Sequence, residues 1–131
     1  MSAGYSGTPL ATKLGIKPGG RFWLDGAPDL PDFLVPEGAS SPGRGPYDVI
    51  VVFCPDMAAL RARFPATRRR MTMTGRLWIA WPKKSSGLPT DLTENGVRAY
   101  GLAAGLVDVK VCAIDAVWSG LAFVVPVAQR R

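Results

Sequence analysis

The chain has no histidine and only two cysteines. Without histidine it cannot form the Ser-His-Asp or Cys-His systems that activate a nucleophile, nor an iron site built on two histidines. A structural zinc site needs about four closely spaced ligands, and Cys54 and Cys112 stand far apart in the apolar runs VVFCP and VKVCAID. We therefore expect two buried, unlinked thiols, with no metal and no cofactor.

The chain also lacks a long hydrophobic run. None approaches the roughly 20 residues needed to cross a bilayer, and the first residues, MSAGYSGTPL, lack the basic-then-apolar pattern of a secretory signal. A cytoplasmic protein without a membrane partner is expected. Its 131 residues suit one domain spanning residues 1–131, and 47% hydrophobic with 20% charged residues is a globular composition rather than a disordered one.

The formal net charge is +6, and the densest arginine cluster lies in PDMAALRARFPATRRRM. Apolar residues in this segment recur at helical spacing, which predicts an amphipathic helix with its arginines on the solvent side. We expect Pro65 to break or kink this helix, because proline lacks a backbone N–H and its ring crowds the preceding turn. A solvated helix face is the favoured explanation of the arginines. A surface that follows a phosphate backbone is the alternative.

The other segments alternate between strand-like and helix-like patterns. YDVIVVFCP is an almost unbroken β-branched run, typical of a strand covered on both faces. RFWLDGAP and GRLWIAWP predict further strands, and TDLTENGVRAYGLAAG predicts a helix capped by Thr90 or Asp91 and ended by Gly105. Residues 28–46 are rich in glycine and proline and predict an irregular segment.

The last two strand-like runs, VDVKVCAID and LAFVVPV, are separated only by AVWSG. This connection is too short for a parallel crossover, so the two runs must form an antiparallel hairpin. We predict a small three-layer, Rossmann-like α/β domain with a mixed sheet of about five strands in the order 1-2-3-5-4. The final strand then lies beside GRLWIAWP, antiparallel to it.

A dinucleotide or methyl-donor site would need a glycine-rich turn directly after the first strand. Here the first strand runs into GAPDLPDF, which has one glycine and two prolines. The order of elements resembles the second half of a Rossmann-like methyltransferase. That resemblance implies an architecture and no activity.

Three longer strings, GYSGTPLATKLGIKPG, LWIAWPKKSSGLPTDLTENGVR and GLVDVKVCAIDAVWSGLAFVV, resemble the bacterial family catalogued as domain of unknown function 3052. The resemblance covers both ends of the chain and most of it after Tyr47, and it matches residues 28–46 weakly. It implies a small bacterial cytoplasmic protein and carries over no catalytic residue.

The candidate binding site is the segment WPKKSSGLPTDLTENG, residues 81–96. In open α/β sheets ligands bind beyond the carboxyl ends of the strands, where GAPDLP, CPDM and PKKSSGLPTD should be neighbours. Lysine charge, hydroxyl groups and the free N–H groups of a helix start suit a phosphate or carboxylate, and a solvated strand-to-helix connection is the alternative. The candidate ligand residues are Lys83, Lys84, Ser85, Ser86, Thr90 and Asp91.

Two further residues are assigned as contacts near this site. Asp56 follows the second strand, and Trp118 lies in the hairpin turn AVWSG. We expect Trp118 to pack on the last helix, with a contact surface as the alternative. Asp115 beside it is expected to cap the turn.

The favoured function is a non-enzymatic binding or regulatory module that meets an anionic small molecule or an acidic protein, with nucleic acid as a less favoured partner. The alternative is a small enzyme, or the remnant of one, that acts on an anionic metabolite. In that case Lys83 or Lys84 would stabilise charge and Asp56 or Asp91 would transfer a proton.

Overall fold

The structure, a computed structural model, describes residues 8–130. Its strands are β1 (Phe22–Asp25), β2 (Tyr47–Phe53), β3 (Met71–Pro82), β4 (Val107–Ala113) and β5 (Trp118–Val124). Its helices are α1 (Leu10–Leu14), α2 (Met57–Arg69) and α3 (Glu94–Ala103), with short 3₁₀ turns at Lys84–Ser86 and Val127–Gln129. Within this part of the chain, no helix is both long enough and apolar enough to cross a membrane.

The strands form an open mixed sheet in the order β1-β2-β3-β5-β4, which confirms the predicted fold. Strands β1, β2 and β3 are parallel, and β5 runs antiparallel to both β3 and β4. The short AVWSG connection explains why β4 and β5 form a hairpin, and it is β5 of that hairpin that pairs with β3. The segment 28–46 joins β1 to β2 without a helix or a strand of its own.

Strand β2 is buried on both faces, as its sequence predicts. Ile50 and Val52 pack with α2 and α3 in one core cluster. Val51 and Phe53 pack with α1 in the other. The sheet is therefore the middle layer of three, and both faces of its central strands are closed to solvent.

Helix α2 does not break at Pro65. Leu60 and Phe64 form its buried stripe as predicted, and the helix continues through Pro65 to Arg69. Proline removes the hydrogen bond to the carbonyl of Arg61, four residues earlier. Both residues are exposed, so solvent can hydrate that carbonyl. Of the predicted break or kink, the break was wrong because the proline falls on the wet side of the helix; the kink stays a prediction.

Helix α3 begins later than predicted. The Thr93 hydroxyl oxygen accepts a hydrogen bond from the Gly96 N–H at 3.0 Å, so Thr93 is the cap and the assignment of Thr90 or Asp91 was wrong. The segment that precedes it is not helical, and its Leu92 side chain is buried in the core. Gly105 follows the helix with a φ of +90°, a conformation that favours glycine, and this confirms the predicted end.

Trp118 packs elsewhere than predicted. It is the first residue of β5, and its ring meets Phe53 edge-to-face with centroids 5.3 Å apart. Phe53 belongs to the core cluster on the α1 face, so Trp118 does not pack on α3. Asp115 does cap the hairpin turn: its Oδ1 accepts hydrogen bonds from the N–H groups of Val117 at 2.8 Å and Trp118 at 2.7 Å.

The two cysteines are unlinked, as predicted. Cys54 follows β2 and is buried, whereas Cys112 lies in the outer strand β4 and is only half-buried. Strands β3 and β5 stand between β2 and β4, so the sheet order itself keeps the thiols apart.

Candidate functional site

The predicted site lies at the carboxyl edge of the sheet, where β1, β2 and β3 end. The loops that follow these strands meet there, as expected. Asp91, in the loop after β3, accepts a hydrogen bond from the Met57 N–H at 2.8 Å, at the start of α2. Arg63 of α2 donates to the carbonyl of Phe53 and lies close to Gly26, the residue after β1.

Two carboxylates cap the same helix start at this edge. Asp56 accepts the Ala59 N–H at 2.9 Å, and Asp91 accepts the Met57 N–H at 2.8 Å. The N-terminus of α2 is the position where a helix of a parallel sheet offers free N–H groups to an anion. Here the protein's own carboxylates use two of those groups, so an external anion would meet negative charge instead.

The hydroxyl groups of the predicted loop stabilise the loop itself. Ser86 Oγ donates to the carbonyl of Lys83 at 2.6 Å and accepts the Leu88 N–H at 3.2 Å. Thr90 Oγ1 accepts the Leu92 N–H at 3.0 Å. These bonds supplement the backbone bonds of the 3₁₀ turn and fix the link to α3, so both side chains have a structural role at this edge.

The two lysines have charged groups that remain available. Lys83 is half-buried and Lys84 is exposed. The Lys83 N–H donates to the carbonyl of Val117 at 2.8 Å, which places the β4–β5 hairpin turn beside the loop. Among residues 8–130 neither ammonium group forms a hydrogen bond or an ion pair. The loop therefore presents Lys83, Lys84 and the exposed Ser85 to solvent.

Cys54 also lies near this edge, but it is a poor nucleophile. The pKa of its thiol is raised to about 12, chiefly by burial; the charge of Arg63 opposes this rise, and the charges of Asp25 and Asp56 contribute to it. The reactive species of cysteine is the thiolate. At neutral pH the Cys54 side chain is protonated, and it serves the core.

A second candidate site, which the sequence interpretation missed, lies at the opposite edge. We call this the amino edge: the edge where β1, β2 and β3 begin, at Phe22, Tyr47 and Met71. A cavity of about 440 Å³ opens there on the α1 face of the sheet. Its charged and hydroxyl-bearing lining residues are Lys17, Arg21, Asp48, Thr74 and Arg76.

We call this cavity the basic cavity. One of its walls is a turn with the sequence KPGG, residues 17–20. The Gly20 N–H donates to the carbonyl of Lys17 at 3.0 Å, and the Gly19 N–H donates to the carbonyl of Glu37 at 2.9 Å. The turn therefore joins the segment before β1 to the irregular segment before β2. Arg76 lies across the other side, close enough to Gly15 that a Cβ there would be 3.3 Å from Arg76 Nη1.

The charges in the cavity are unbalanced. Asp48 is the one carboxylate among the described lining residues, and its Oδ2 accepts the Arg21 N–H at 3.0 Å. The Arg21 guanidinium donates to the carbonyl of Pro46 at 3.0 Å and to that of Arg44 at 2.6 Å. In the described chain, Lys17 and Arg76 have neither a hydrogen bond nor an ion pair through their charged groups. The charged groups of Lys17 and Arg76 thus line the same cavity, and in residues 8–130 neither group is paired with a carboxylate.

Sequence reasoning could have found only part of this cavity. The string IKPGGR shows two basic residues around a glycine pair, which is a visible signal. Asp48, Thr74 and Arg76 come from two other strands, however, and only the parallel pairing of β1, β2 and β3 brings them to the same edge. Ligands of open α/β sheets are expected beyond the carboxyl ends of the strands, so the site was predicted at the carboxyl edge and not at the amino edge.

Neither site has the ligand set of a metal centre. Among residues 8–130, no group of three or more histidine, cysteine, aspartate or glutamate side chains is arranged to hold a metal ion.

Comparisons of the sequence with protein-family models and with curated proteins find no match in either case.

Proposed function

We propose that the protein is a non-enzymatic binding module for a small anionic molecule that carries phosphate or carboxylate groups. The observation that carries this proposal is the pair of unpaired cations, Lys17 and Arg76, which face the same cavity of about 440 Å³. A cavity of this size is within the range of small-molecule sites. The guanidinium of Arg76 can donate two parallel hydrogen bonds to one phosphate or carboxylate.

The loop with Lys83 and Lys84 is the second candidate location for the anion. Its ammonium groups are equally free, but the nearest helix start is occupied by Asp56 and Asp91. The one carboxylate among the described lining residues of the basic cavity, Asp48, accepts the Arg21 N–H, so the two free cations there meet less opposing charge. The proposal includes a cytoplasmic location for this binding module.

The alternative function is a small enzyme, or the remnant of one, acting on an anionic metabolite. It would assign proton transfer to Asp56 or Asp91. Both carboxylates are held as caps of α2, so each already has a structural role that needs no proton transfer. Binding without chemistry is therefore the function that the geometry favours.

Isothermal titration calorimetry with inorganic phosphate, pyrophosphate and citrate tests the proposal. A charge-assisted hydrogen bond contributes about 1.5 to 3 kcal/mol, so we expect Lys17→Gln/Arg76→Gln to weaken anion binding at least about tenfold. The matched control is Lys83→Gln/Lys84→Gln, which removes the same charge from the other edge and should leave the affinity unchanged.

A preference for one compound of the panel, lost only in the cavity variant, supports a defined anion site at the amino edge. If only the control variant loses binding, the anion belongs to the PKKSSGLPTD loop and the cavity assignment is wrong. If no compound binds the unmodified protein at millimolar concentration, the proposed function itself is rejected.

A further inference from the structure

The fold gathers a group of basic residues at the amino edge, although Arg63, Lys83 and Lys84 lie at the carboxyl edge. Because β1 to β3 are parallel, the connections before them all lie at the amino edge, and β5, running antiparallel, brings residues 125–130 to the same edge. The basic residues of these connections and strand starts are Lys17, Arg21, Arg44, Arg68, Arg69, Arg70, Arg76 and Arg130. The carboxylates that follow the strands at the opposite edge are Asp25, Asp56, Asp91, Asp115 and Glu94.

Few carboxylates balance the amino edge. Glu37 and Asp48 lie there, and Asp108 at the start of β4 is paired with Arg98 of α3 at 2.9 Å. Within residues 8–130 the salt bridges that form are those of Arg98, with Asp108 and with Glu94. The cations of the amino edge are therefore not neutralised by ion pairs in the described chain.

Several of these arginines are held in place by groups that leave their charge intact. The Arg70 guanidinium lies 5.4 Å from the centroid of the Trp23 ring. Arg130 Nε donates to the carbonyl of Val125 at 3.0 Å. Backbone carbonyls and an aromatic ring fix the position of a guanidinium without compensating its charge, so the basic surface is ordered in advance of binding.

The basic surface continues from one face of the sheet to the other. β5 pairs with β3 only from Leu77 onward, so the first half of β3 has no partner on that side. A second, more open cavity of about 540 Å³ lies on the α2 face beside it, lined by Met73, Arg68 and Arg130. Thr74 and Arg76 line the first cavity. The start of β3 therefore stands between two basic concavities.

We infer that the amino edge binds the phosphate backbone of a nucleic acid. This inference goes beyond the proposed function: the first cavity would hold one phosphate of the chain while Arg68, Arg69 and Arg130 meet its neighbours. A small anion would use only the cavity and leave the cations on the α2 face without a role. Arginine predominates over lysine at this edge, and its planar guanidinium suits phosphate oxygens.

Fluorescence anisotropy with labelled oligonucleotides of about 20 nucleotides, single-stranded and duplex, tests the inference at several salt concentrations. The informative variant is Arg68→Gln/Arg69→Gln, since both residues lie outside the first cavity. Each lost phosphate contact lowers the slope of log K against log salt by about 0.7 for a single strand and about 0.9 for a duplex. We expect the variant to bind the oligonucleotides about tenfold more weakly. Because two contacts are removed, the slope should fall by up to about twice the value for one contact. The affinity for pyrophosphate should be unchanged.

Lys83→Gln/Lys84→Gln is again the matched control, because it removes the same charge from the carboxyl edge. An equal loss in both variants would show that only net charge matters and would overturn the inference. So would the absence of oligonucleotide binding at about 50 mM salt, or equally tight binding of polyglutamate, which would indicate an acidic protein partner. Oligonucleotide binding without pyrophosphate binding would reject the small-anion cavity and retain the nucleic-acid surface.

Discussion

At the scale of single residues, helix α3 packs closely on the sheet at Gly101. This residue lies in α3 and is buried, and a Cβ added to it would overlap the Phe123 ring of β5. Glycine in a helix costs about 1 kcal/mol relative to alanine. Its presence here is explained by the space that the aromatic ring requires, because the absent side chain lets α3 approach the sheet.

We predict that Gly101→Ala destabilises the protein although alanine is the better helix former. Overpacking costs about 1 to 3 kcal/mol and should exceed the gain in helix propensity. Urea denaturation of the single variants and of Gly101→Ala/Phe123→Leu would give the coupling between the two sites. Gly101→Ala should lower the free energy of unfolding much less in the Phe123→Leu background than in the unmodified protein. Equal stabilisation by alanine in both backgrounds would show that Phe123 does not limit this position.

At the scale of elements, the start of α2 depends on a residue far away in the sequence. Local capping rules identify Asp56, whose side chain bonds within its own first turn. They assign Asp91 to α3, whereas the structure places its carboxylate on α2. Sequence spacing could not show this, because the contact between Asp91 and Met57 exists only once β2 and β3 pair side by side. Pro65 failed as a break signal for a related reason: its cost depends on which side of the helix faces water.

We predict that Asp91→Ala lowers the free energy of unfolding by about 0.5 to 2 kcal/mol, the range found for helix N-caps. Asp91→Asn should lose less, since its amide oxygen can still accept the Met57 N–H. Asp29→Ala is a suitable control: Asp29 is exposed, and its side chain forms no hydrogen bond to another described residue. Its effect should stay within about 0.5 kcal/mol in the same urea titration. If the two alanine variants are equally stable, Asp91 does not cap α2 in solution.

At the scale of the whole molecule, the sequence predicted the sheet and not the site. Strand order followed from one short connection, AVWSG, and from the apolar run of β2, both of which are local signals. The basic cavity depends instead on which strand ends become neighbours, and its members come from residues 15–21, 48–49 and 74–76. A net charge of +6 read from the sequence does not say that the cations gather at one edge. That separation results from parallel topology, which sends every returning connection to the same side.

The separation of charge has a consequence for stability. Like charges at the amino edge repel one another, and added salt screens that repulsion as the Debye length falls from about 30 Å at 0.01 M to about 8 Å at 0.15 M. We predict that the free energy of unfolding rises over this range, by several tenths of a kcal/mol to about 1 kcal/mol, the scale of surface electrostatic terms. Urea denaturation at the two salt concentrations measures this rise.

Arg68→Gln/Arg69→Gln should show a smaller rise in the free energy of unfolding, because part of the repulsion is gone. Lys83→Gln/Lys84→Gln should retain the full rise, since Lys83 and Lys84 lie among the carboxylates of the other edge. A fall in stability with salt, or the same rise in all three proteins, would mean that the arginines of the amino edge are too far apart in solution to act on one another.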